Sequence, residues 1–218
     1  VREMCRTIHR RDARKPGFWY LSFSAPHPPN TPLQQYLDLY RDTEIDRPSA
    51  GPWSADLDQL PYTLKVRNVN RSALVGAAWQ EQALARRAFY ATITHVDHQI
   101  RLVIGLLREQ GLLNNTIIAF TSDHGHMIGE HGLWCMTPFY EMSAKIPLIV
   151  QPVAGDSRYP HGATDDRLAE FGDIMPTLLD MCGLPIPGTV DGIPLWSDAR
   201  RDHMYGEHFQ GDVAARMI

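Results

Sequence analysis

The sequence predicts an α/β fold in which a mainly parallel sheet is flanked by helices. Strand-like and helical patterns alternate along the chain, at 18–25, 79–113 and 116–121. This alternation is typical of parallel sheets that are covered by helices on both faces. The run at 116–121 also ends just before Asp123-His124-Gly125, and open α/β sheets bind their ligands at the carboxyl ends of strands.

The first strand-like run, at 18–25, is aromatic and apolar, so we expect a buried strand there. A turn-rich sequence at 26–30 ends it. Residues 26 to about 78 contain scattered prolines and predict an irregular segment. A segment of this kind is usually functional, often as the lid or rim of a site.

A long amphipathic helix is predicted over residues 79–113. Apolar side chains recur there at spacings of three and four residues, which places them on one face of a helix. They are Phe89, Ile93, Val96, Ile100, Val103 and Leu107. Gly111 and the Asn114-Asn115 pair are typical of a helix end.

A further strand and a further helix are predicted in the second half. Residues 145–151 form an apolar run, in which Pro147 favours a strand start or a sheet edge. Apolar spacing over 170–181 predicts a helix, where Pro176 indicates a kink or the first turn. Residues 214–218 resemble a strand that is cut off, and the chain starts at Val1, so we expect truncation at both ends.

The composition bounds the class of protein. The 218 residues are 44% apolar and 21% charged, which suits a packed core. The formal net charge is −4 without a basic block, which argues against nucleic-acid binding. No apolar run approaches the ~20 residues that span a bilayer, so no membrane segment is predicted. Cys5, Cys135 and Cys182 are widely spaced and do not form a disulfide framework.

Asp123 and His124 are the leading candidates for metal ligands. The alternative is a helix-capping aspartate beside a surface histidine. Their position directly after a buried strand favours ligation, as does Gly125, which lets the backbone approach a ligand closely. A carboxylate with an imidazole is compatible with Ca²⁺, Mg²⁺ and Mn²⁺, and also with Zn²⁺.

A rival zinc motif lies a few residues further on. His126, Glu130 and His131 contain the ingredients of the inverted zincin signature H-x-x-E-H. Three residues separate His126 from Glu130, one too many, and Gly129 interrupts the helix that the motif requires. The sequence therefore argues against a zinc peptidase.

His27 follows the first strand-like run, within Ala25-Pro26-His27-Pro28-Pro29. A lone loop histidine is more often inert than catalytic. The flanking prolines hold its backbone extended, which suits a pre-placed donor or general acid.

Taken in order, these motifs resemble the sulfatase family of the alkaline-phosphatase superfamily. The resemblance rests on the segments 18–29, His95-Val96-Asp97, 121–125 with 129–134, 140–150 and 173–192. The chain is similar to arylsulfatases, choline-sulfatases and phosphonate monoester hydrolases. It implies an incomplete alkaline-phosphatase-like fold, in which residues 1–218 are the middle-to-late part of a catalytic domain.

The resemblance also implies a mechanism. A formylglycine, matured from cysteine or serine, attacks a sulfate ester while a divalent ion polarises its oxygens. Asp123 and His124 match a pair of metal ligands, for Ca²⁺ first and Mn²⁺ or Mg²⁺ as alternatives. His27 matches a histidine that contacts the sulfate and assists the leaving group. Lys145 is a second candidate for binding the substrate's anionic oxygens.

The sequence departs from the family pattern in two places. None of its cysteines stands in the nucleophile motif Cys/Ser-x-Pro/Ala-x-Arg, so no formylglycine is expected within this chain. Thirteen positions after Asp123 the family usually has a lysine that binds the substrate, whereas this chain has Met136. A thioether supplies neither charge nor a hydrogen-bond donor. We expect a real loss of that contact, unless Lys145 compensates.

The resulting prediction is a sulfuric ester hydrolase that acts on a small-molecule sulfate ester. The alternatives are a phosphonate or phosphate ester hydrolase of the same superfamily and a degenerate, non-catalytic member. We expect the 218-residue chain on its own to show little or no turnover.

Overall fold

The computed structural model describes residues 1–52, 72–134, 136, 138–210 and 213–218. They divide into two compact units. The first unit contains residues 1–52, 72–115 and 128–134; the second contains residues 116–127 and the described residues from 136 onward. The α/β prediction is confirmed, because long and short helices combine with two strand pairs.

Helices build the first unit. They are α1 (Arg2–His9), α2 (Gln34–Leu37) and α3 (Trp79–Glu109), with 3₁₀ turns at Asp38–Tyr40, Leu113–Asn115 and Glu130–Gly132. The long helix confirms the prediction for residues 79–113. None of the helices in the described part of the chain is long and apolar enough to cross a membrane.

Local hydrogen bonds set both ends of α3. At its start, the Ala78 amide donates to the Glu81 carboxylate at 3.1 Å. At its end, the Gly111 amide donates to the Arg108 carbonyl at 3.0 Å, and Leu112 donates to the Leu107 carbonyl at 2.8 Å. Gly111 has φ +68°, so this is the left-handed glycine cap that the sequence predicted.

The neighbours of α3 in the first unit are aromatic. The Tyr36 ring stacks on His95 at 4.6 Å between centroids and lies edge-on to His98 at 5.4 Å. The Tyr40 hydroxyl is 2.6 Å from the Thr94 hydroxyl. His95 and His98 therefore help to pack α2 against α3.

The run at 18–25 is not a strand in this structure. Residues 16–24 form neither helix nor strand and pair with no strand in the described ranges. Phe18 is 82% exposed and Tyr20 is 78% exposed. Aromatic composition suits a strand, but a strand also requires a neighbour to accept its backbone hydrogen bonds.

The second unit contains the strands. β1 (Ile118–Thr121) pairs with β2 (Leu148–Gln151), and β3 (Gly206–Gln210) pairs with β4 (Val213–Met217). Both pairs are antiparallel. This differs from the mainly parallel sheet that the sequence predicted.

The connection between β1 and β2 explains the antiparallel pairing. Its described residues contain the 3₁₀ turn Glu130–Gly132 and one short α-helix, α4 (Glu141–Ala144). The Gly125 amide, just past β1, donates to the Ser143 carbonyl, just before β2, at 2.7 Å. The chain therefore enters β2 at the end where β1 stops, whereas a parallel pair needs a crossover that returns it to the other end.

The predicted helix at 170–181 is a 3₁₀ turn (Phe171–Asp173) followed by α5 (Ile174–Met181). Pro176 lies in the first turn of α5, where amides have no partner within the helix, so it does not break a hydrogen bond. Gly183, with φ +66°, ends the helix and donates to the Asp180 carbonyl at 2.9 Å.

A buried carboxylate ties α5 to the chain that follows it. Asp173 is 1% exposed and accepts hydrogen bonds from the Glu170 amide at 2.9 Å and the Ile193 amide at 2.7 Å. The Arg201 guanidinium donates to both of its oxygens, at 2.7 and 3.0 Å. A Cβ at Gly192 would lie 2.1 Å from the Gly172 carbonyl oxygen, so only glycine permits this approach.

We predict that Asp173→Ala lowers the free energy of unfolding by about 3–5 kcal/mol, because it leaves the largely buried Arg201 with Glu170 alone and removes the acceptor of the Glu170 and Ile193 amides. Chemical denaturation followed by circular dichroism measures the change. Asp165→Ala is the control, since the Asp165–Arg167 ion pair is more exposed, and its midpoint should stay unchanged. Equal midpoints for the two variants would contradict the assignment.

Candidate metal site

Asp123 and His124 lie together directly after β1. The Asp123 Oδ2 is 3.7 Å from the His124 Nε2. The Asp123 side chain is 79% exposed and the His124 side chain is 39% exposed. Both therefore face solvent at the carboxyl end of the strand, as the sequence predicted for ligands.

Hydrogen bonds orient both side chains. The His124 amide donates to Asp123 Oδ1 at 3.0 Å, which leaves Oδ2 directed at the imidazole. The His124 Nδ1 is 2.8 Å from the Gly125 carbonyl oxygen. A carbonyl only accepts, so Nδ1 carries a hydrogen, and in the neutral imidazole Nε2 then keeps its lone pair. A metal-binding histidine is usually held this way, with its second nitrogen donating to a carbonyl.

The geometry fits a shared divalent ion. Metal bonds of about 2.0–2.6 Å at angles of about 90–110° separate two ligand atoms by about 3–4 Å. The 3.7 Å between Oδ2 and Nε2 lies in this range. No third histidine, cysteine or carboxylate joins the pair within the described ranges. The spacing of Asp123 Oδ2 and His124 Nε2 is thus compatible with two ligands of one ion.

Gly125, next to His124, lies close to the backbone of residues 142 and 143. A Cβ at this position would lie 2.2 Å from the Met142 carbonyl oxygen and 3.2 Å from the Ser143 Cα. Lys145, two residues further, follows α4 and its ammonium lies 3.5 Å from Glu141. The lysine is 77% exposed, and in the described part of the chain it forms no ion pair with Asp123.

His27 lies in the first unit, whereas Asp123, His124 and Lys145 lie in the second. Its amide donates to the Ser24 carbonyl at 3.0 Å, and its Nδ1 is 2.7 Å from the Pro28 carbonyl oxygen. The same reasoning as for His124 assigns the hydrogen to Nδ1. The exposed ring therefore presents Nε2 to solvent.

Sequence reasoning missed a buried arginine. Arg86, on α3, is 5% exposed and donates to the Ile128 carbonyl at 2.7 Å. Arg86 lies between the small apolar residues Ala83 and Ala88, and this pattern could have indicated that its side chain is buried. The helical pattern alone, however, does not distinguish a buried charge from a solvated one.

The chain is similar to known proteins along most of its length. The model of the sulfatase family matches residues 2–184. The chain is 36% identical to an arylsulfatase of Clostridium perfringens over 226 aligned positions, covering 100% of this chain and 46% of the relative. It is 31% identical to a choline-sulfatase of Rhizobium meliloti, covering 86% of this chain and 35% of the relative.

A solved structure is also similar to this chain. The phosphonate monoester hydrolase of Silicibacter pomeroyi superposes with a TM-score of 0.74 at 25% identity, covering 92% of this chain and 42% of that one. The chain thus spans less than half the length of each of these three proteins. Since the family model covers most of the chain and the arylsulfatase aligns along all of it, the chain belongs to the sulfatase family.

Proposed function

We infer that the protein is a sulfuric ester hydrolase of the arylsulfatase type, acting on a small-molecule sulfate ester with a divalent metal ion. The observation that carries this proposal is the Asp123–His124 pair, 3.7 Å apart at the end of β1. The similarity to the arylsulfatase of Clostridium perfringens supports the reaction class.

Asp123 and His124 would hold the metal through Oδ2 and Nε2. When bound, a divalent ion polarises the ester oxygens and offsets their negative charge. Ca²⁺ is the first candidate, with Mn²⁺ and Mg²⁺ as alternatives, because the carboxylate is a hard oxygen ligand. The hydrogen bond from His124 Nδ1 to Gly125 keeps the ring from turning its protonated nitrogen towards the ion.

His27 is the proposed proton donor to the leaving group. Its Nδ1–H is engaged by the Pro28 carbonyl, so Nε2 is the atom that carries and releases the proton. A protonated Nε2 would neutralise the alkoxide or phenoxide as the ester bond breaks. Lys145 is exposed and supplies a mobile positive charge for the anionic oxygens.

A phosphonate or phosphate ester hydrolase is the second candidate. The similarity to the phosphonate monoester hydrolase of Silicibacter pomeroyi favours it. A panel of aryl sulfate, phosphate diester and phosphonate monoester, assayed with the full-length protein and with metal content measured, separates the two. The sulfatase proposal requires the aryl sulfate to give the highest kcat/KM.

We predict that Asp123→Asn weakens binding of Ca²⁺ or Mn²⁺ by at least about 10–100-fold, because it removes a charged ligand. Isothermal titration calorimetry on the full-length protein measures the affinity and stoichiometry. Asp198→Asn is the control, being an exposed aspartate in the same unit. Unchanged stoichiometry and affinity in the Asp123 variant would remove this residue from the ligand set.

We predict that His27→Ala lowers kcat by about 100–10,000-fold, as expected when a general acid is lost. The loss should shrink for aryl esters whose leaving groups need no proton. His9→Ala, an exposed histidine of α1, is the control. An equal loss for good and poor leaving groups would contradict the role of proton donor.

We predict that Met136→Lys raises kcat/KM. A recovered charge-assisted contact of about 2–4 kcal/mol corresponds to roughly 30–900-fold. Steady-state kinetics on aryl sulfate measure the gain. Met142→Lys, which also adds a cation at an exposed methionine, is the control and should change little. A fall or no change for Met136→Lys would mean that the substrate's oxygens do not approach residue 136.

A further inference from the structure

A cavity lies beside α1 in the first unit, between this helix and residues 15–19, and is here called the α1 cavity. Its volume is about 450 Å³, which is the size of a small-molecule site. Four of its lining residues are cationic, namely Arg6, Arg10, Arg11 and Lys15. The whole chain, in contrast, has a net charge of −4. The positive charge gathered at this cavity therefore favours an anion.

Two carboxylates also line the α1 cavity, but each has a cation of its own. Asp12 accepts two hydrogen bonds of 3.0 Å from the guanidinium of Arg14, which does not line the cavity. Hydrogen bonds from the Arg14 side chain and amide hold the pKa of Asp12 below its usual range. Glu3 pairs with Arg6 at 3.3 Å. The two carboxylates are thus engaged by Arg14 and Arg6.

Arg10, Arg11 and Lys15 are the cations that remain. None of them forms an ion pair with another residue in the described part of the chain. Arg11 donates to two neutral acceptors, the Ile8 carbonyl at 3.2 Å and the Gln110 side chain at 3.5 Å. These bonds hold its guanidinium in place without neutralising its charge.

The end of α1 explains only part of this cluster. Cations are stabilised by the free carbonyls of a helix end, which accounts for Arg10 and Arg11. Lys15 lies beyond the helix, in a turn where its amide donates to the Asp12 carbonyl at 3.1 Å. Arg6 and Arg10 lie one helical turn apart, a spacing at which like charges repel. A bound anion offsets this repulsion.

Trp19 gives the α1 cavity a flat apolar wall. Its ring lies against Gly17, where a Cβ would be only 2.6 Å from Trp19 Cζ2. The largely exposed ring of Phe18 also belongs to the lining. Aromatic faces pack against flat, apolar groups. An inorganic anion would leave this wall unused, whereas an organic anion contacts both the wall and the cations.

We propose that the α1 cavity binds a small organic anion, whose planar part packs on Trp19 and whose oxyanion contacts the unpaired cations. Guanidinium groups recognise sulfate, phosphate and carboxylate groups through paired, charge-assisted hydrogen bonds. The cavity shares no residue with the Asp123–His124 pair. Because its occupation requires no hydrolysis, this proposal is independent of the proposed function.

The probe is naphthalenesulfonate, a planar anion whose sulfur is bonded directly to carbon, so that it contains no ester to hydrolyse. Isothermal titration calorimetry on the full-length protein measures its affinity. Arg10→Gln with Lys15→Gln should weaken binding at least about tenfold, because two charge-assisted contacts are lost. Arg2→Gln with Arg101→Gln is the matched control, since both are exposed arginines outside the cavity lining. Equal affinities of the two double variants overturn the proposal.

Gly17→Ala tests the aromatic wall while every charge stays in place. The added Cβ displaces the Trp19 ring, so the affinity for naphthalenesulfonate should fall about three- to tenfold and that for inorganic sulfate should not change. Gly105→Ala is the control, because its Cβ would meet no atom within 4 Å. An unchanged affinity for naphthalenesulfonate, or equally tight binding of inorganic sulfate by the wild type, overturns the assignment of an organic ligand.

Glu3→Gln covers the case in which the charge variant fails to fold. It releases Arg6 from its exposed ion pair and should strengthen probe binding about two- to fivefold, a gain that a damaged fold cannot produce. The absence of any gain contradicts the proposal.

The remaining outcomes separate this site from others. Affinity that falls in Asp123→Asn but not in Arg10→Gln/Lys15→Gln means that the probe binds at the proposed metal site, and it overturns the cavity alone. Displacement of the probe by a short oligonucleotide at lower concentration than by aryl sulfate or aryl phosphate also overturns it, in favour of a nucleic-acid surface. Probe binding as expected, in a protein that hydrolyses no ester, supports the cavity and refutes the proposed function.

Discussion

The close approach of Gly125 to residues 142 and 143 is the constraint on which the second unit's site depends. Its amide donates to the Ser143 carbonyl at 2.7 Å, and any side chain would collide with the Met142 carbonyl oxygen. The chain is held there, four residues beyond β1, so Asp123 and His124 lie in the short exposed turn between the strand and this contact. The same contact brings the chain to the start of β2, so that β2 pairs antiparallel with β1. Gly125 thus influences both the antiparallel pairing of β1 with β2 and the exposed position of Asp123 and His124.

Two aspartates of the second unit illustrate how environment decides the role of a carboxylate. Asp173 is buried and receives four hydrogen bonds, two of them from Arg201, so its lone pairs are engaged in holding α5 to the following chain. Asp123 is exposed, and its Oδ2 lies 3.7 Å from His124 Nε2, which has a free lone pair in the neutral ring. Two acceptors aimed at one another repel unless a cation or a proton lies between them. Asp123 therefore keeps an oxygen available to a cation, whereas the oxygens of Asp173 are engaged within the fold.

Membership of the sulfatase family gives this local chemistry its context. The described residues include a candidate ligand pair, Asp123 with His124, a histidine whose Nδ1 lies against a backbone carbonyl, His27, and an exposed lysine, Lys145. Each unit also contains a buried ion pair, Arg86 with Glu130 in the first and Asp173 with Arg201 in the second. The imidazole rings of His124 and His27 are oriented by backbone carbonyls, whereas these ion pairs are withdrawn from solvent.

Local signals in the sequence determined α3 and its glycine cap, the helix at 170–181 and the strand before Asp123, and they placed Asp123 and His124 side by side just after that strand. These features depend on residues within a few positions of one another, so periodicity, capping and turn chemistry specify them. Only the tertiary structure decided the antiparallel pairing of β1 with β2, the lack of a strand partner for residues 18–25 among the described residues, and the burial of Arg86 against Glu130. Each of these depends on partners that lie tens of residues away, and no local pattern states which distant group will satisfy a backbone amide or a charge.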